Sequence, residues 1–136
     1  MIGFSLYPHH LKDKSDCTLQ SFSEMVARAA ELYGVDHLGI GSDLCQDQPD
    51  SVVEWMRVGR WSKDIDYGEG SATQAGFPPQ PHWFQDNRDF GNLYHGLTDI
   101  GFSAAEADKI MGQNWYRFFA ENFTPQAPSA AAHSSR

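Results

Sequence analysis

"GVDHLGIGSDLCQDQPD", residues 34–50, places an apolar run between a glycine and an aspartate and then continues into further carboxylates. A short apolar run bounded in this way predicts a buried strand over residues 35–41. Gly34 suits the end of a preceding helix, because glycine adopts a left-handed conformation without a steric cost. Asp43 directly follows the strand, so it is either a turn residue or a functional carboxylate at the strand's carboxyl end.

The residues before this strand predict a helix and a first strand. In "SDCTLQSFSEMVARAAELYG", residues 15–34, apolar side chains recur at spacings of three and four, and Asp16 or Thr18 can serve as N-cap. Upstream, "IGFSLY", residues 2–7, is an apolar run that ends at Pro8 and predicts a strand. Strand, helix and strand with short connections predict an α/β fold with two parallel strands. The predicted inner face of the helix comprises Leu19, Phe22, Val26, Ala29, Ala30 and Tyr33.

A long stretch from Leu44 to Asp89 separates this unit from the C-terminal region and is rich in proline, glycine and aromatic residues. "PDSVVEWMRVG", residues 49–59, predicts a short helix. The remainder predicts an ordered functional loop, because disordered segments rarely carry many large aromatic side chains. Those aromatic residues are Trp55, Trp61, Tyr67, Phe77, Trp83 and Phe84.

Two helices are predicted near the C-terminus. Phe90, Leu93, Tyr94, Leu97 and Ile100 share one helical face before Gly101. "SAAE", residues 103–106, has the spacing of a capping box and predicts the start of a second helix. Its inward residues are predicted to be Ala107, Ile110, Met111, Trp115, Phe118 and Phe119. Residues 124–136 lack periodicity, which predicts a disordered tail.

Composition narrows the classes of function. The 136 residues suffice for one domain, and the net charge of −8 argues against nucleic acid as a partner because no basic stripe can neutralise phosphates. No run approaches the ~20 apolar residues of a membrane span, and the first residues do not have the pattern of a signal peptide, so a cytoplasmic location is expected. Cys17 and Cys45 are too few for a disulfide scaffold or a thiolate zinc site, and we expect buried or bystander thiols.

Functional groups in parallel α/β folds collect where strands end. Asp43 lies there, and Gly39 and Gly41 lack side chains, which would allow a ligand or another backbone to approach. Such a carboxylate can exchange a proton or hold an ammonium group, or it can simply cap a turn through backbone N–H groups.

Tyr7 is expected at the equivalent end of the first strand, where its phenol could bind a substrate carboxylate or pack as an ordinary aromatic residue. His9 and His10 are adjacent, and on an extended segment adjacent side chains point to opposite sides. We therefore expect no shared metal ion there and assign no metal ligand in this chain.

Three stretches together resemble a known family. "IGFSLYP" (2–8), "GVDHLGIGSDLCQD" (34–47) and "GFSAAEADKIMGQNWYRFF" (101–119) resemble, in this order, the C-terminal portion of the renal or membrane dipeptidase family, the M19 metallopeptidases. "DQPDSVVEWMRVGRW" (47–61) is similar to a bacterial branch of that family. The resemblance extends over residues 2–123.

This resemblance implies a (β/α)8 TIM barrel, of which residues 1–123 would supply the last two parallel strands and their helices. It also implies two zinc ions at the barrel's carboxyl face and hydrolysis of dipeptides by a metal-bridged hydroxide. By the same resemblance Asp43 handles a proton or the substrate amine, and Tyr7 lies on the substrate side.

The family's zinc ligands would lie upstream of this chain, which holds only part of the ~200–250 residues of a barrel. The resemblance therefore implies a segment that is inactive alone and needs the missing N-terminal part of the barrel as its partner. The alternative is an independently folded, non-enzymatic module that binds a partner or forms a homo-oligomer through its aromatic loop.

Overall fold

A computed structural model describes residues 1–58 and 76–123 of the chain. Strands β1 (Ile2–Ser5) and β2 (Leu38–Gly41) form a parallel pair in which Ile2 faces Leu38 and Ser5 faces Gly41. The predicted pair of parallel strands with a helix between them is thus present. Both strands are shorter than expected: β1 ends at Ser5, two residues before the predicted end, and a 3-10 turn at Val35–His37 replaces the start of the predicted second strand. His37, which the sequence places within the second strand, is consequently an exposed turn residue.

Helix α1 (Leu19–Tyr33) joins the strands and has the predicted ends. The Thr18 hydroxyl accepts a hydrogen bond from the Ser21 backbone N–H at 3.1 Å, and Gly34 ends the helix at a φ of 80°. Phe22 and Val26 are buried as predicted, but the Tyr33 side chain is 56% exposed. Its predicted inward position is wrong: in the last turn of α1 the exposed side includes Tyr33 together with Leu32, which is 73% exposed.

The remaining helices are α2 (Asp50–Val58), α3 (Phe90–Asp99), α4 (Ala104–Asp108) and α5 (Asn114–Asn122). The predicted capping box of α4 is present, with Ser103 and Glu106 bonded reciprocally. A π-helical turn, Lys109–Gln113, separates α4 from α5, and its Gly112 has non-helical backbone angles.

This irregular turn changes which residues of α5 face inward. Asn114 is almost completely buried, whereas the Phe119 side chain is 52% exposed. The predicted inward position of Phe119 is wrong because the sequence periodicity assumed a regular helix through Gly112.

The core lies between α1, the two strands and helices α3 and α4. Part of the long region before α3 contributes to it: Trp83 and Phe84 are buried, Trp83 packs next to Phe22, and Phe84 packs next to Trp83. The prediction of an ordered loop is therefore confirmed for residues 76–89, whereas Trp61, Tyr67 and the predicted tail lie outside the described residues. The buried apolar cluster comprises Leu6, Leu11, Cys17, Phe22, Val26, Leu38, Trp83, Phe84, Leu93, Leu97, Ala107 and Ile110.

The two faces of the small sheet are covered differently. On one face Phe4 meets Phe22 of α1 edge to face, with ring centroids 6.4 Å apart. On the other face Gly3 and Gly39 are register partners, and the indole of Trp115 lies on both of them. Trp115 Nε1–H also donates a hydrogen bond to the Ile40 carbonyl at 3.0 Å, which fixes α5 against the sheet.

Candidate functional site

The carboxyl ends of β1 and β2 bring both predicted site residues to one edge of the sheet. Asp43 lies two residues beyond β2 with a φ of 55°, a left-handed conformation that aspartate tolerates better than most residues. Its side chain is exposed, and Oδ2 accepts a hydrogen bond from Ser5 Oγ at 3.3 Å. The carboxylate therefore reaches across to the end of the neighbouring strand.

Ser5, the last residue of β1, connects several groups at this edge. Its Oγ accepts a hydrogen bond from the Tyr7 backbone N–H at 3.1 Å and lies 2.9 Å from His10 Nδ1. One hydroxyl thus links the carboxylate of Asp43, an imidazole and the backbone after β1.

Tyr7 is partly buried within an aromatic cluster at the same edge. Its ring meets those of His9, His10 and Phe77 edge to face, with centroid distances of 5.7, 5.3 and 6.4 Å. The expectation of an extended segment at His9 and His10 is wrong, since Pro8–His10 form a 3-10 turn and both imidazoles contact the Tyr7 ring. This packing positions the side chain of Tyr7.

The two glycines of β2 differ in the space around them. A Cβ on Gly39 would lie 2.3 Å from Trp115 Nε1, so the space beside Gly39 is already filled by the chain's own indole. A Cβ on Gly41 would have no heavy atom within 4 Å. The opening expected at both glycines is thus confined to Gly41, the residue nearest to Asp43.

The aspartates at the two ends of β2 differ in their charged neighbours. Near the amino end, Asp36 forms ion pairs with Lys109 at 2.8 Å and with Arg117 at 3.8 Å. The hydrogen bond from Lys109 lowers the pKa of the Asp36 carboxyl. At the carboxyl end, Asp43 forms no ion pair within residues 1–58 and 76–123, so its negative charge is available to a ligand.

The two cysteines are free thiols, Cys17 buried and Cys45 exposed. Desolvation raises the pKa of both thiols, and the charge of Asp43 adds to this effect at Cys45. A raised pKa keeps a thiol protonated near neutral pH, and a protonated thiol is a poor nucleophile. The Cys45 thiol is therefore not an activated nucleophile at this edge.

The described residues do not form a metal site by themselves. In the part of the chain that the structure covers, no three His, Cys, Asp or Glu side chains are grouped so that they could hold a metal ion. The zinc implied by the family resemblance would therefore need ligands from outside these residues. In the same part of the chain, no helix has the length and apolar character to cross a membrane.

Sequence reasoning missed two polar residues with defined structural roles. Ser5 was overlooked, although a serine two residues before the Tyr7 N–H has the spacing of a local hydroxyl-to-backbone turn. Asn114 was overlooked as well; its Nδ2 donates to the carbonyls of Val35 and Leu38 at 2.8 and 2.9 Å. No local pattern marks Asn114, because its partners lie 79 and 76 residues away in sequence.

Comparison with known proteins gives one informative likeness. No protein-family model matches the chain, and no curated protein matches it. Among solved structures, the chain is similar to the crystal structure of an amidohydrolase from Pseudomonas aeruginosa, with a TM-score of 0.70 and 25% sequence identity. The match covers 85% of this chain and 34% of that one, so the chain spans about a third of that structure's length. The likeness supports a hydrolase-type fold in which the two parallel strands and their helices match one region of an amidohydrolase.

Proposed function

We propose that this chain is the C-terminal portion of a zinc-dependent dipeptidase of the M19 type and supplies one wall of its active site. The observation that carries the proposal is the exposed carboxylate of Asp43, without an ion pair among the described residues, at the carboxyl ends of two parallel strands. The likeness to one third of an amidohydrolase supports the same assignment. In barrel enzymes this edge of the sheet is where active sites lie.

Asp43 and Tyr7 take different roles in this proposal. The Asp43 carboxylate exchanges a proton with the reacting peptide or binds the substrate's ammonium group. The phenol of Tyr7, held by the surrounding aromatic rings, donates a hydrogen bond to the substrate carboxylate. Zinc, held by ligands from the rest of the barrel, would polarise the substrate's carbonyl and activate a water molecule.

The surface of the chain supports the need for such a partner. Within the described ranges β1 pairs only with β2, so its outer edge has free backbone groups, and the Ile2 side chain is 38% exposed. Beside this edge runs an apolar groove of about 340 Å³ along α1, lined in part by Phe4, Met25 and Leu32. A further parallel strand and its helix, as in a (β/α)8 barrel, would cover both features.

The test is dipeptide hydrolysis in the presence of zinc, with this chain alone and with the polypeptide that completes the barrel. We expect no turnover by the chain alone and turnover by the completed protein. Asp43→Asn should then lower turnover by about 10²–10⁴-fold, the usual range for loss of a general acid or base. Zinc content and the free energy of unfolding should stay nearly unchanged.

Asp47→Asn is the matched control, because Asp47 is also exposed and also has a positive φ, of 52°. It should leave turnover unchanged. Hydrolysis by the isolated chain would refute the claim that the zinc ligands lie outside this chain. Loss of zinc in Asp43→Asn would show instead that Asp43 is a metal ligand.

A second candidate function is a non-enzymatic module that associates with itself. It is favoured by the exposed aromatic side chains of α5 and the residue that follows it, with exposed fractions of 79% for Tyr116, 52% for Phe119 and 70% for Phe123. Sedimentation velocity over a range of concentrations distinguishes the two candidates. A stable homo-oligomer of this chain, well folded and inactive with zinc, would favour the module over the fragment.

A further inference from the structure

The hydroxyl of Ser5 has one proton to donate and two lone pairs that can accept. Its neighbours are the Asp43 carboxylate, the Tyr7 backbone N–H and His10 Nδ1. Asp43, when ionised, can only accept, and a backbone N–H can only donate. The contact whose direction the geometry leaves open is therefore that between Ser5 and His10.

Hydrogen bonds to an ionised carboxylate are stronger than those between neutral groups, which favours the Ser5 proton pointing to Asp43. Both lone pairs of Ser5 Oγ are then filled by donors, one from the Tyr7 backbone and one from His10. This assignment requires the proton of neutral His10 to lie on Nδ1. Its Nε2 then carries a lone pair, and His10 is an exposed residue at the same edge as Asp43.

We propose that Ser5 is a positioning residue that links Asp43 and His10 and holds His10 in the Nδ1–H tautomer, with Nε2 as an acceptor for ligands. Asp43 and His10 Nε2 then both present acceptors, so the edge selects a ligand group that has only donors. A primary ammonium group, with three donors and a positive charge, has this chemistry. That such a group is the amino terminus of a dipeptide rests on the proposed function, whereas the tautomer of His10 does not.

The tautomer can be measured on the full, isotope-labelled chain by long-range proton–nitrogen correlation of the imidazoles. A pH of about 8 keeps histidine neutral, since its ordinary pKa is about 6.5. We expect His10 mainly as the Nδ1–H form in the unmodified protein. Ser5→Ala should shift the population to the Nε2–H form, and Ser5→Thr, which keeps the hydroxyl, should restore the Nδ1–H form.

Asp43→Asn provides a second variant in case Ser5→Ala does not fold. An asparagine amide can donate to Ser5 Oγ and so release the serine proton towards His10, which should shift His10 to the Nε2–H form. His95, an exposed histidine on α3, should keep its spectrum in every variant. An Nε2–H form of His10 in the unmodified protein, or no change in either Ser5→Ala or Asp43→Asn, overturns the proposal.

The ligand class is tested on the same sample with glycylglycine and N-acetylglycylglycine. We expect glycylglycine to shift the His10 nitrogen signals and the acetylated peptide, which lacks the ammonium group, to leave them unchanged. Equal shifts, or none with either peptide, overturn the ligand assignment. Neither measurement needs zinc or turnover. A lack of hydrolysis by the completed protein would therefore refute the proposed function and leave the result for the His10 tautomer unchanged.

Discussion

Replacing Gly39 by alanine tests how α5 is held on the sheet. The added Cβ would lie 2.3 Å from Trp115 Nε1 and 2.8 Å from two further atoms of the indole. These distances are far inside van der Waals contact, and the indole is a rigid ring that cannot bend away. Trp115 must therefore move, and with it α5.

The cost has two parts. Inserting a methyl group into a packed contact costs about 1–3 kcal/mol. Moving the indole also weakens the hydrogen bond from Trp115 Nε1 to the Ile40 carbonyl, which contributes about 0.5–1.5 kcal/mol. We therefore expect Gly39→Ala to lower the free energy of unfolding by roughly 2–4 kcal/mol.

Urea unfolding of the two purified proteins measures this difference. Gly41→Ala is the matched control on the same strand, because a Cβ there has no heavy atom within 4 Å. Its effect should stay within about 0.5 kcal/mol, as for most changes in open surroundings. Equal unfolding midpoints for the two variants would refute the close packing of Trp115 on the strand pair.

Three further outcomes follow from the packing and the charges. Gly96→Ala should be destabilising despite alanine's helix propensity, because the added Cβ would lie 2.7 Å from side-chain atoms of α1. Gly91→Ala has open space around the added Cβ and should stabilise α3 by up to about 1 kcal/mol. Thermal unfolding compares the stability of the two variants. Asn114→Ala should cost about 2–4 kcal/mol in urea unfolding, because it leaves two backbone carbonyls without their donors, and wild-type stability in this variant would contradict the assigned contacts. The hydrogen bond from the Arg88 side chain lowers the pKa of Asp86 to about 2. The contribution of this pair to stability is therefore present above the ordinary pKa of aspartate and lost as the pH falls towards about 2. In an NMR titration Arg88→Gln should raise the pKa of Asp86, and an unchanged value would refute the ion pair.

Local patterns predicted the parts of the fold whose causes are local. The N-cap of α1, the glycine that ends this helix and the capping box at Ser103 depend on residues within one helical turn, and all three are present. The N-cap is Thr18, one of the two residues that the sequence allowed. The parallel pairing of β1 and β2 followed from two apolar runs on either side of a helix. These features needed no knowledge of distant contacts.

Other features depend on contacts between segments far apart in the chain. A glycine within a helical pattern predicts a small loss of stability. Gly112, however, lies in a π-helical turn that brings the Asn114 amide to the start of β2. The sequence likewise predicted open space at Gly39, and only the fold shows that Trp115 occupies it. Periodicity cannot reveal such pairings, because each member is ordinary in its own neighbourhood.

The question whether Asp43 ends a strand or serves chemistry can be divided into two parts. Its φ of 55° explains a short polar residue, yet asparagine would serve that turn as well as aspartate. The turn does not require the negative charge, which the described residues leave without an ion pair. Asp36, at the other end of the strand, is instead paired with Lys109 and Arg117. Because the turn does not need this charge and no described cation pairs with it, the charge is the part of Asp43 that we assign to ligand binding or proton transfer.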